Sequence, residues 1–393
     1  MNSSYIKSIL IEYDKKRILA QQEADTRKEK LYSENPRLQE IEDKLTSLAI
    51  STSLALIQKN SPDKLKELEE NIKKLKEEKL NILKSLNLSE NYFLPKYECE
   101  LCKDTGYVTE NNITTMCNCL KQRLFDLEYN KSNIYNLKNQ NFENFSINLY
   151  SDEVAPQKYK SKISPRENIK IIKTICQKFI DNFDDPSEKN LLFTGNTGLG
   201  KTFLSSCIAN ELIKSGKTVL YQTAPIMLDT IIDYRFGKQN KSFDIYSNIL
   251  NADLLIIDDL GTETINNMKF TELFNIINTR LLNQNKITKT IISTNLSLQN
   301  LFSNYDERIV SRIVGNYNIC YFFGDDIRFK KIKEVIDIEH PDIIHAGHIW
   351  ILPSIAGKYN IPLVITAHGT DLIGYKQSKR FRHFAENAVD KAK

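Results

Sequence analysis

Glycine, tryptophan and long apolar runs are scarce in this sequence. It has 13 glycines and one tryptophan among 393 residues, and no apolar run approaches the roughly 18 residues of a membrane-spanning helix. The N-terminal apolar run consists of Ile9, Leu10 and Ile11, which is too short for a secretory signal peptide. We therefore expect a cytoplasmic protein that has no membrane partner.

A large excess of charge of either sign is also absent. The chain has 54 Lys and Arg against 50 Asp and Glu, a net charge of +4, so contact with nucleic acid must come from a local basic patch. The apolar fraction of 41% and the charged fraction of 26% are typical of folded globular proteins. This length is enough for two or three domains.

The seven cysteines are unevenly distributed. Cys176, Cys207 and Cys320 are isolated and are predicted to be buried apolar residues. The other four form two close pairs, Cys99 with Cys102 and Cys117 with Cys119. Because the pairs flank turn-forming residues such as Asn111-Asn112, they predict a hairpin that binds structural Zn²⁺ through four thiolates. Independent free thiols are the alternative.

The first ninety residues contain no glycine, as expected for long helices. Apolar residues at alternating steps of three and four run from Leu38 to Leu48 and, interrupted by Lys79 alone, from Leu65 to Leu86, which predicts two amphipathic helices. Asn60-Ser61-Pro62-Asp63 predicts a helix stop and a new start between them, so we expect an antiparallel hairpin. The pair is either a solvated helical hairpin or an arm that binds a partner protein.

Five short β-rich runs alternate with helical patterns between Asn190 and Lys331. Continuous apolar strands separated by helices predict a parallel sheet that is covered on both faces, which is an α/β fold. The predicted strands are 191–194, 218–221, 254–257, 290–294 and 319–323.

A phosphate-binding motif of the form G-x-x-x-x-G-K-T follows the first of these strands and precedes a helix. It comprises Gly195, Asn196, Thr197, Gly198, Leu199, Gly200, Lys201 and Thr202. Its glycines let backbone N–H groups converge on phosphates at a helix N-terminus. We expect Lys201 to contact the β- and γ-phosphates of ATP and the Thr202 hydroxyl to bind Mg²⁺.

Two carboxylates end the third predicted strand. Asp258 is expected to hold Mg²⁺, directly or through water, and Asp259 to polarise the attacking water. We expect this strand to be adjacent to the one before the phosphate motif, so that both end at the same edge of the sheet. Asn295 follows the next strand; its amide either contacts the γ-phosphate or the attacking water, or forms a turn.

Arg308 and Arg312 lie four residues apart on a predicted helix and so share one face. Either one has the ordinary interpretation of a solvated surface arginine. We predict that Arg312 is an arginine finger for the nucleotide of a neighbouring subunit, because a guanidinium neutralises charge on the transferred phosphoryl group. This role requires self-association for ATP hydrolysis.

Basic and aromatic residues alternate from Tyr234 to Phe243. Rings that stack on bases and cations that follow phosphates are typical of single-stranded DNA binding. An exposed helix end and loop is an equally good interpretation of this composition.

These motifs, in this order, resemble the AAA+ ATPases, and specifically the DnaC/DnaI type of helicase-loading protein, which is close to DnaA and to the transposition helper IstB. The resemblance covers roughly residues 90–331 and includes the phosphate motif, Asp258-Asp259, Asn295, Ser311-Arg312 and Gly324 to Arg328. It implies that Asn295 is sensor 1, Arg312 the finger and Arg328 a second sensor. It also implies a zinc module beside a helical region that binds the helicase.

The C-terminal segment differs in composition, since all five histidines and the tryptophan follow residue 339. Residues 340–346 and 361–371 predict two short strands that flank a helix. They resemble part of the N-terminal Rossmann-like half of family 4 GT-B glycosyltransferases, but the opening strand and Gly-rich loop of that domain are missing. We expect a partial β-α-β fragment without transferase activity, whose histidines have ordinary structural roles.

The sequence thus predicts a helical partner-binding region, a zinc module, a linker, an AAA+ core and a glycosyltransferase-like fragment. Their bounds are 1–94, 95–132, 133–165, 166–331 and 332–393. The predicted function is an ATP-dependent loader that binds ATP, Mg²⁺, single-stranded DNA and a replicative DNA helicase, with Zn²⁺ in its zinc module. One alternative is an IstB-like transposition helper. Another is a nucleotide-switched binding module with little hydrolysis, favoured by an aspartate at 259 where glutamate is common.

Overall fold

A computed structural model describes residues 3–57, 62–128, 140–236, 245–264, 266–346 and 361–365. The chain divides into two compact units, Met1–Leu124 and Phe125–Lys393.

The first unit begins with three long helices. They are α1 (Ser3–Glu34), α2 (Pro36–Ile57) and α3 (Pro62–Ser85). Proline stands at the first position of α2 and of α3, where its missing N–H costs no hydrogen bond. Arg37 at the start of α2 pairs with Glu78 in the second half of α3, and Leu38 and Leu83 are buried in the same apolar cluster. The start of α2 therefore lies beside the end of α3, so these helices are antiparallel. The predicted hairpin is confirmed, and α1 precedes it.

The helices share a small apolar core. Leu31, Leu38 and Leu83 are buried in it, and aromatic rings including Tyr32 and Phe93 pack against them. Other large apolar residues of α1 face solvent, namely Ile11, Ile18 and Leu19. A core of this size leaves part of the apolar surface of α1 uncovered.

The cysteine-rich segment forms the predicted hairpin. Strand β1 (Tyr107–Glu110) pairs antiparallel with β2 (Ile113–Met116). The two turn residues between them, Asn111 and Asn112, have φ of 49° and 63°, the left-handed conformation that a tight two-residue hairpin turn requires and that asparagine tolerates. Helix α4 (Asn118–Glu128) follows directly.

The second unit is built on a five-stranded parallel sheet, which confirms the predicted α/β class. The strands are β3 (Asn190–Gly195), β4 (Val219–Thr223), β5 (Leu254–Leu260), β6 (Lys289–Thr294) and β7 (Tyr317–Phe322). Their spatial order is β4-β5-β6-β3-β7, and every neighbouring pair is parallel. All five predicted strands are therefore present and end at the same edge.

Helices cover both faces of this sheet. They are α5 (Pro156–Tyr159), α6 (Pro165–Asp181), α7 (Lys201–Lys214), α8 (Ala224–Arg235), α9 (Ile245–Asn251), α10 (Asn267–Leu281), α11 (Leu298–Asn304), α12 (Glu307–Asn316) and α13 (Ile327–Glu339). Alternate residues of β3 enter different apolar clusters: Leu192 joins residues of α8, α10 and α12, whereas Leu191 and Phe193 join residues of α6 and α7. This burial on both faces explains the continuous apolar strands.

Residues 140–165, which fall in the predicted linker, pack on this core. Phe145 and Tyr150 are buried in the cluster that includes α6 and α7. The Ser164 hydroxyl accepts a hydrogen bond from the backbone N–H of Glu167 and caps α6. The polar composition of the segment conceals these two aromatic anchors, so part of the expected linker belongs to the core.

The C-terminal end of the core also differs from its predicted bound. Helix α13 crosses the expected boundary between residues 331 and 332 without interruption. Beyond it, β8 (Ile344–Ala346) and β9 (Leu363–Ile365) form a parallel pair, as the predicted fragment requires. Residues 347–360, where the connecting helix is predicted, lie outside the described residues.

Candidate functional site

The phosphate motif has the backbone that its glycines predict. Gly195, Gly198 and Gly200 have φ of 140°, 75° and 88°, values that residues with a Cβ rarely adopt. Helix α7 begins at Lys201 directly after the loop. The N–H groups of the first turn of α7 are therefore available to an anion at this position.

A cleft of about 470 Å³ opens at this edge of the sheet. Most of the predicted nucleotide-binding residues line it together with Asp259, Asn295 and Arg328. Its full lining consists of residues 140, 144–146, 149, 197–203, 259, 295, 327, 328 and 331. The sequence motifs, which span more than a hundred residues, thus converge on one cavity.

Lys201 is buried at the base of this cleft. Its ammonium donates hydrogen bonds to the carbonyl oxygens of Gly195 and Asn196 at 2.6 and 2.7 Å, and to Oδ1 of Asn295 at 2.8 Å. Burial lowers the pKa of Lys201 to about 8, although the nearby Asp259 and Asp258 oppose this shift. A bound anion would offset the cost of burying this charge.

Asp258 and Thr202 are in direct contact. The Thr202 hydroxyl donates to Oδ2 of Asp258 at 3.1 Å, and the phenol of Tyr221 on β4 donates to the same oxygen at 2.8 Å. Burial and the negative charge of Asp258 raise the pKa of Tyr221. The hydroxyl and the carboxylate are hard oxygen donors of the kind that Mg²⁺ prefers, so these two residues fit the predicted ion.

Asp259 lies at an irregular point of β5. The register with β6 shifts between Ile257 and Leu260, and Asp259 has a left-handed φ of 55°. Burial and the neighbouring charge of Asp258 raise the pKa of the Asp259 carboxyl. The bulge places the two carboxylates in different positions: Asp258 contacts Thr202, while Asp259 lines the cleft.

One expectation about the strands is wrong. The acidic strand β5 is not adjacent to β3, because β6 lies between them. The intervening strand is the one that leads to Asn295, whose side chain accepts the hydrogen bond from Lys201. Thr202 contacts Asp258 from helix α7, which packs across β4, β5 and β6.

The three predicted arginines have different surroundings. Arg328 lines the cleft, and its guanidinium donates to both carboxylate oxygens of Asp326. Arg312 and Arg308 lie outside the residues that line the cleft; Nε of Arg312 donates to Oδ1 of Asn278 at 3.0 Å, and Arg308 pairs with Asp306. Of these three arginines, only Arg328 therefore lines the cleft of its own chain.

Several residues of the site carry no sequence signal. The Tyr150 hydroxyl donates to the carbonyl oxygen of Leu199 in the phosphate loop at 2.9 Å, and Phe145 packs against Phe203. The Asp326 carboxyl occupies the position that a Cβ at Gly198 would take. These contacts join positions far apart in the chain, and only the combination of a polar segment with two aromatics marks residues 145–150.

The four clustered cysteines converge on a second site. Their sulfur atoms all lie within 4.8 Å of one another, with Cys99 and Cys117 at 3.8 Å and Cys102 and Cys119 at 3.5 Å. Zinc–sulfur bonds of about 2.3 Å in a tetrahedron imply sulfur separations of about 3.8 Å. These thiols therefore could hold a zinc ion.

The backbone around the cysteines supports this arrangement. The buried carboxylate of Asp104 accepts hydrogen bonds from the N–H groups of Glu98 and Cys99. The N–H of Gly106 points to the sulfur of Cys102 at 3.4 Å. Such contacts fix the orientation of ligands around a metal.

The predicted DNA-binding stretch is described only in part. Tyr234 and Arg235 end α8 and Phe236 follows it, while residues 237–243 lie outside the described residues. Arg235 pairs with Glu272, and its guanidinium lies 4.9 Å from the centroid of the Tyr246 ring. Arg235 is thus already engaged within the protein.

Among the residues that the structure describes, no helix combines the length and the apolar character that crossing a membrane demands.

Comparisons with known proteins concern mainly the second unit. Residues 157–333 match the family described as "IstB-like ATP binding protein". The replicative helicase loader DnaC of Escherichia coli (strain K12) is 25% identical over 154 residues, which are 39% of this chain and 61% of the relative. The phage-like element PBSX protein XkdC of Bacillus subtilis (strain 168) is 25% identical over 242 residues, 57% of this chain and 80% of the relative.

A solved structure described as "Crystal structure of the DnaC helicase loader" aligns with a TM-score of 0.36 and 24% identity, and covers 48% of this chain and 98% of that chain. The chain spans about three fifths of the length of the Escherichia coli relative. The likeness of the C-terminal segment to glycosyltransferases is not supported by the family match or by the curated relatives. Over residues 157–333 the chain is therefore similar to IstB-like ATP binding proteins, and part of the chain is similar to replicative helicase loaders.

Proposed function

We propose that this protein is an ATP-dependent loader of a replicative DNA helicase. The observation that carries the ATP-dependent part is the convergence of Lys201, Asn295, Thr202 and Asp258 through direct hydrogen bonds at one cleft. The loader part is supported by relatives that are named replicative helicase loaders. The match covers part of each chain, so the whole activity is a proposal.

The residues of the cleft have complementary roles in this proposal. Lys201 exchanges its carbonyl acceptors for phosphate oxygens when ATP binds, and Asn295 orients the attacking water. Asp259 polarises that water as a general base. When bound, Mg²⁺ would be held by Thr202 and Asp258 and would neutralise charge on the phosphates.

Partner binding is assigned to other parts of the chain. The exposed apolar residues Ile11, Ile18 and Leu19 of α1 make the helical region a candidate surface for the helicase, since apolar helix faces bind protein partners. Residues 234–243 are the candidate contact for single-stranded DNA. Zn²⁺ has a structural role at the cysteine cluster because four thiolates leave no open position. A reducing cytoplasm suits these thiols.

An IstB-like transposition helper is the second candidate, because residues 157–333 match the family described as "IstB-like ATP binding protein". The helical region and the cysteine cluster, which precede the core in the sequence, favour the loader. Capture of purified transposase, instead of purified replicative helicase, by the ATP-bound protein would reverse this choice. A binding module with little hydrolysis is distinguished by single-turnover ATP hydrolysis with and without single-stranded DNA.

The ATPase is tested by mixing two inactive variants. Lys201→Ala removes phosphate binding but keeps the finger, and Arg312→Ala removes the finger but keeps the cleft. Each alone should be inactive. An equal mixture should regain about a quarter of wild-type turnover, because random assembly pairs an intact cleft with an intact finger at one head-to-tail interface in four.

Arg308→Ala is the matched control, one turn away on the same helix and bound to Asp306. It should retain ATP turnover. Full activity of Arg312→Ala at every protein concentration would refute the finger, and loss of activity in Arg308→Ala alone would transfer the role to that residue.

A further inference from the structure

The carboxylate of Asp258 is surrounded by hydrogen-bond donors. Its Oδ2 accepts from the Thr202 hydroxyl at 3.1 Å and from the Tyr221 phenol at 2.8 Å. Its Oδ1 accepts from the backbone N–H of Asp259 at 3.1 Å. The phosphate motif and the acidic pair explain two of these donors, but they do not explain Tyr221.

Tyr221 reaches Asp258 from the neighbouring strand. Its Cα is opposite Ile256 in the parallel register of β4 and β5, two residues before the acid. The side chain is 1% exposed and belongs to the apolar cluster of α6 and α7. A phenylalanine would fill the same apolar space, so the hydroxyl has a purpose that packing does not account for.

The number of donors limits how Asp258 can hold a metal ion. A carboxylate oxygen has about two lone-pair sites, and both sites of Oδ2 already have donors. One site of Oδ1 remains. Mg²⁺ keeps several of its waters in protein sites. A carboxylate with one remaining acceptor site is therefore suited to accept a hydrogen bond from a metal-bound water.

We propose that Tyr221 is a positioning residue: its phenol fixes the orientation of the Asp258 carboxylate, and so the Mg²⁺ affinity of the site that Thr202 and Asp258 would form. This inference rests on the proposed function, because it assumes that the cleft binds nucleotide with Mg²⁺. Removing the phenol hydroxyl frees one site of Oδ2 and lets the carboxylate rotate. Loss of such an orienting contact typically weakens metal affinity 10–100-fold.

The test compares full-length Tyr221→Phe with Tyr317→Phe. Tyr317 is also a buried tyrosine of this sheet, but it lies at the opposite, amino end of the strands, where β7 pairs with Asn190. Binding of a fluorescent ADP analogue is titrated with Mg²⁺ after removal of metal by EDTA. Tyr221→Phe should bind metal-free nucleotide like the wild type. It should need about tenfold more Mg²⁺ to reach half of the metal-dependent gain in nucleotide binding. Tyr317→Phe should match the wild type in both measurements.

A double-variant cycle separates positioning from a packing effect. If Tyr221 acts through Asp258, Tyr221→Phe should not change the Mg²⁺ requirement further once Asp258→Asn is present. An unchanged Mg²⁺ requirement in Tyr221→Phe would overturn the inference. So would a Tyr221→Phe substitution that raises the Mg²⁺ requirement by the same factor in the Asp258→Asn protein as in the wild type. Absence of any Mg²⁺ effect on nucleotide binding in the wild type would instead refute the proposed function.

Discussion

The cysteine cluster and the nucleotide cleft are assembled in opposite ways. The cluster comes from residues 99–119 alone, on two four-residue strands whose side chains are largely exposed. The cleft comes from residues spread between 140 and 331, and strands buried on both faces hold it in place. A local segment with little core depends on its ligand for stability, whereas a site at the edge of a large sheet is held by packing.

Removal of the metal should produce the largest difference between the two regions. We expect Cys102→Ser in the full-length protein to abolish stoichiometric zinc binding and to expose residues near 95–128 to protease, because zinc binding and folding are coupled in such modules. Nucleotide binding by the core should persist. Zinc content by a colorimetric chelator and limited proteolysis with mass spectrometry measure the two effects.

Cys176→Ser is the control for this change, since Cys176 is a buried thiol of the core. It should keep the zinc content and the protease pattern of the cysteine segment. A Cys102→Ser protein that still holds one zinc per chain would contradict the prediction that the cysteine cluster binds the metal.

A core substitution should have the next largest effect. Phe193 is fully buried and its ring lies 5.3 Å from that of Phe322, so Phe193→Ala should lower the free energy of unfolding by about 3–5 kcal/mol. Denaturant unfolding followed by circular dichroism measures this loss. Zinc content should not change, because the four clustered cysteines lie in the other unit.

Phe302→Ala serves as the matched control, because Phe302 is about half exposed on α11. Its effect should be about 0.5 kcal/mol or less. Equal losses for the two variants would show that the sheet is not what stabilises the second unit.

Tyr150→Phe should have the smallest effect and tests whether residues 140–150 belong to the core. It removes the hydrogen bond to the Leu199 carbonyl, which is worth about 1 kcal/mol. Thermal unfolding should show a small decrease in the midpoint, and the decrease should be absent in Tyr321→Phe, whose side chain is largely exposed. A linker without contacts would leave the midpoint of Tyr150→Phe unchanged.

Features determined by short stretches of sequence could be predicted. The five strands are short β-rich runs, the phosphate loop needs glycine at fixed positions, and Asn111-Asn112 forms the hairpin turn. Each signal lies within about ten residues, so periodicity and turn chemistry are sufficient to detect it.

Contacts between distant positions could not be predicted in this way. Tyr221 looks like any aromatic residue of a buried strand, and its bond to Asp258 depends on the spatial neighbourhood of β4 and β5. The order of the strands in the sheet could not be predicted either, because the strand sequences do not indicate that β6 lies between β3 and β5. Arg280 is a further example: its buried guanidinium donates mainly to backbone carbonyls, including those of Ile249 and Lys289.

The left-handed backbone at Asp259 favours aspartate over the longer glutamate at this position. Aspartate and asparagine adopt positive φ more readily than longer or bulkier side chains do. A glutamate at this position would gain reach toward the cleft but would add conformational strain at the bulge of β5. The shorter acid is therefore accounted for by the geometry of its own main chain, and its presence alone gives no reason to reject ATP hydrolysis at this cleft.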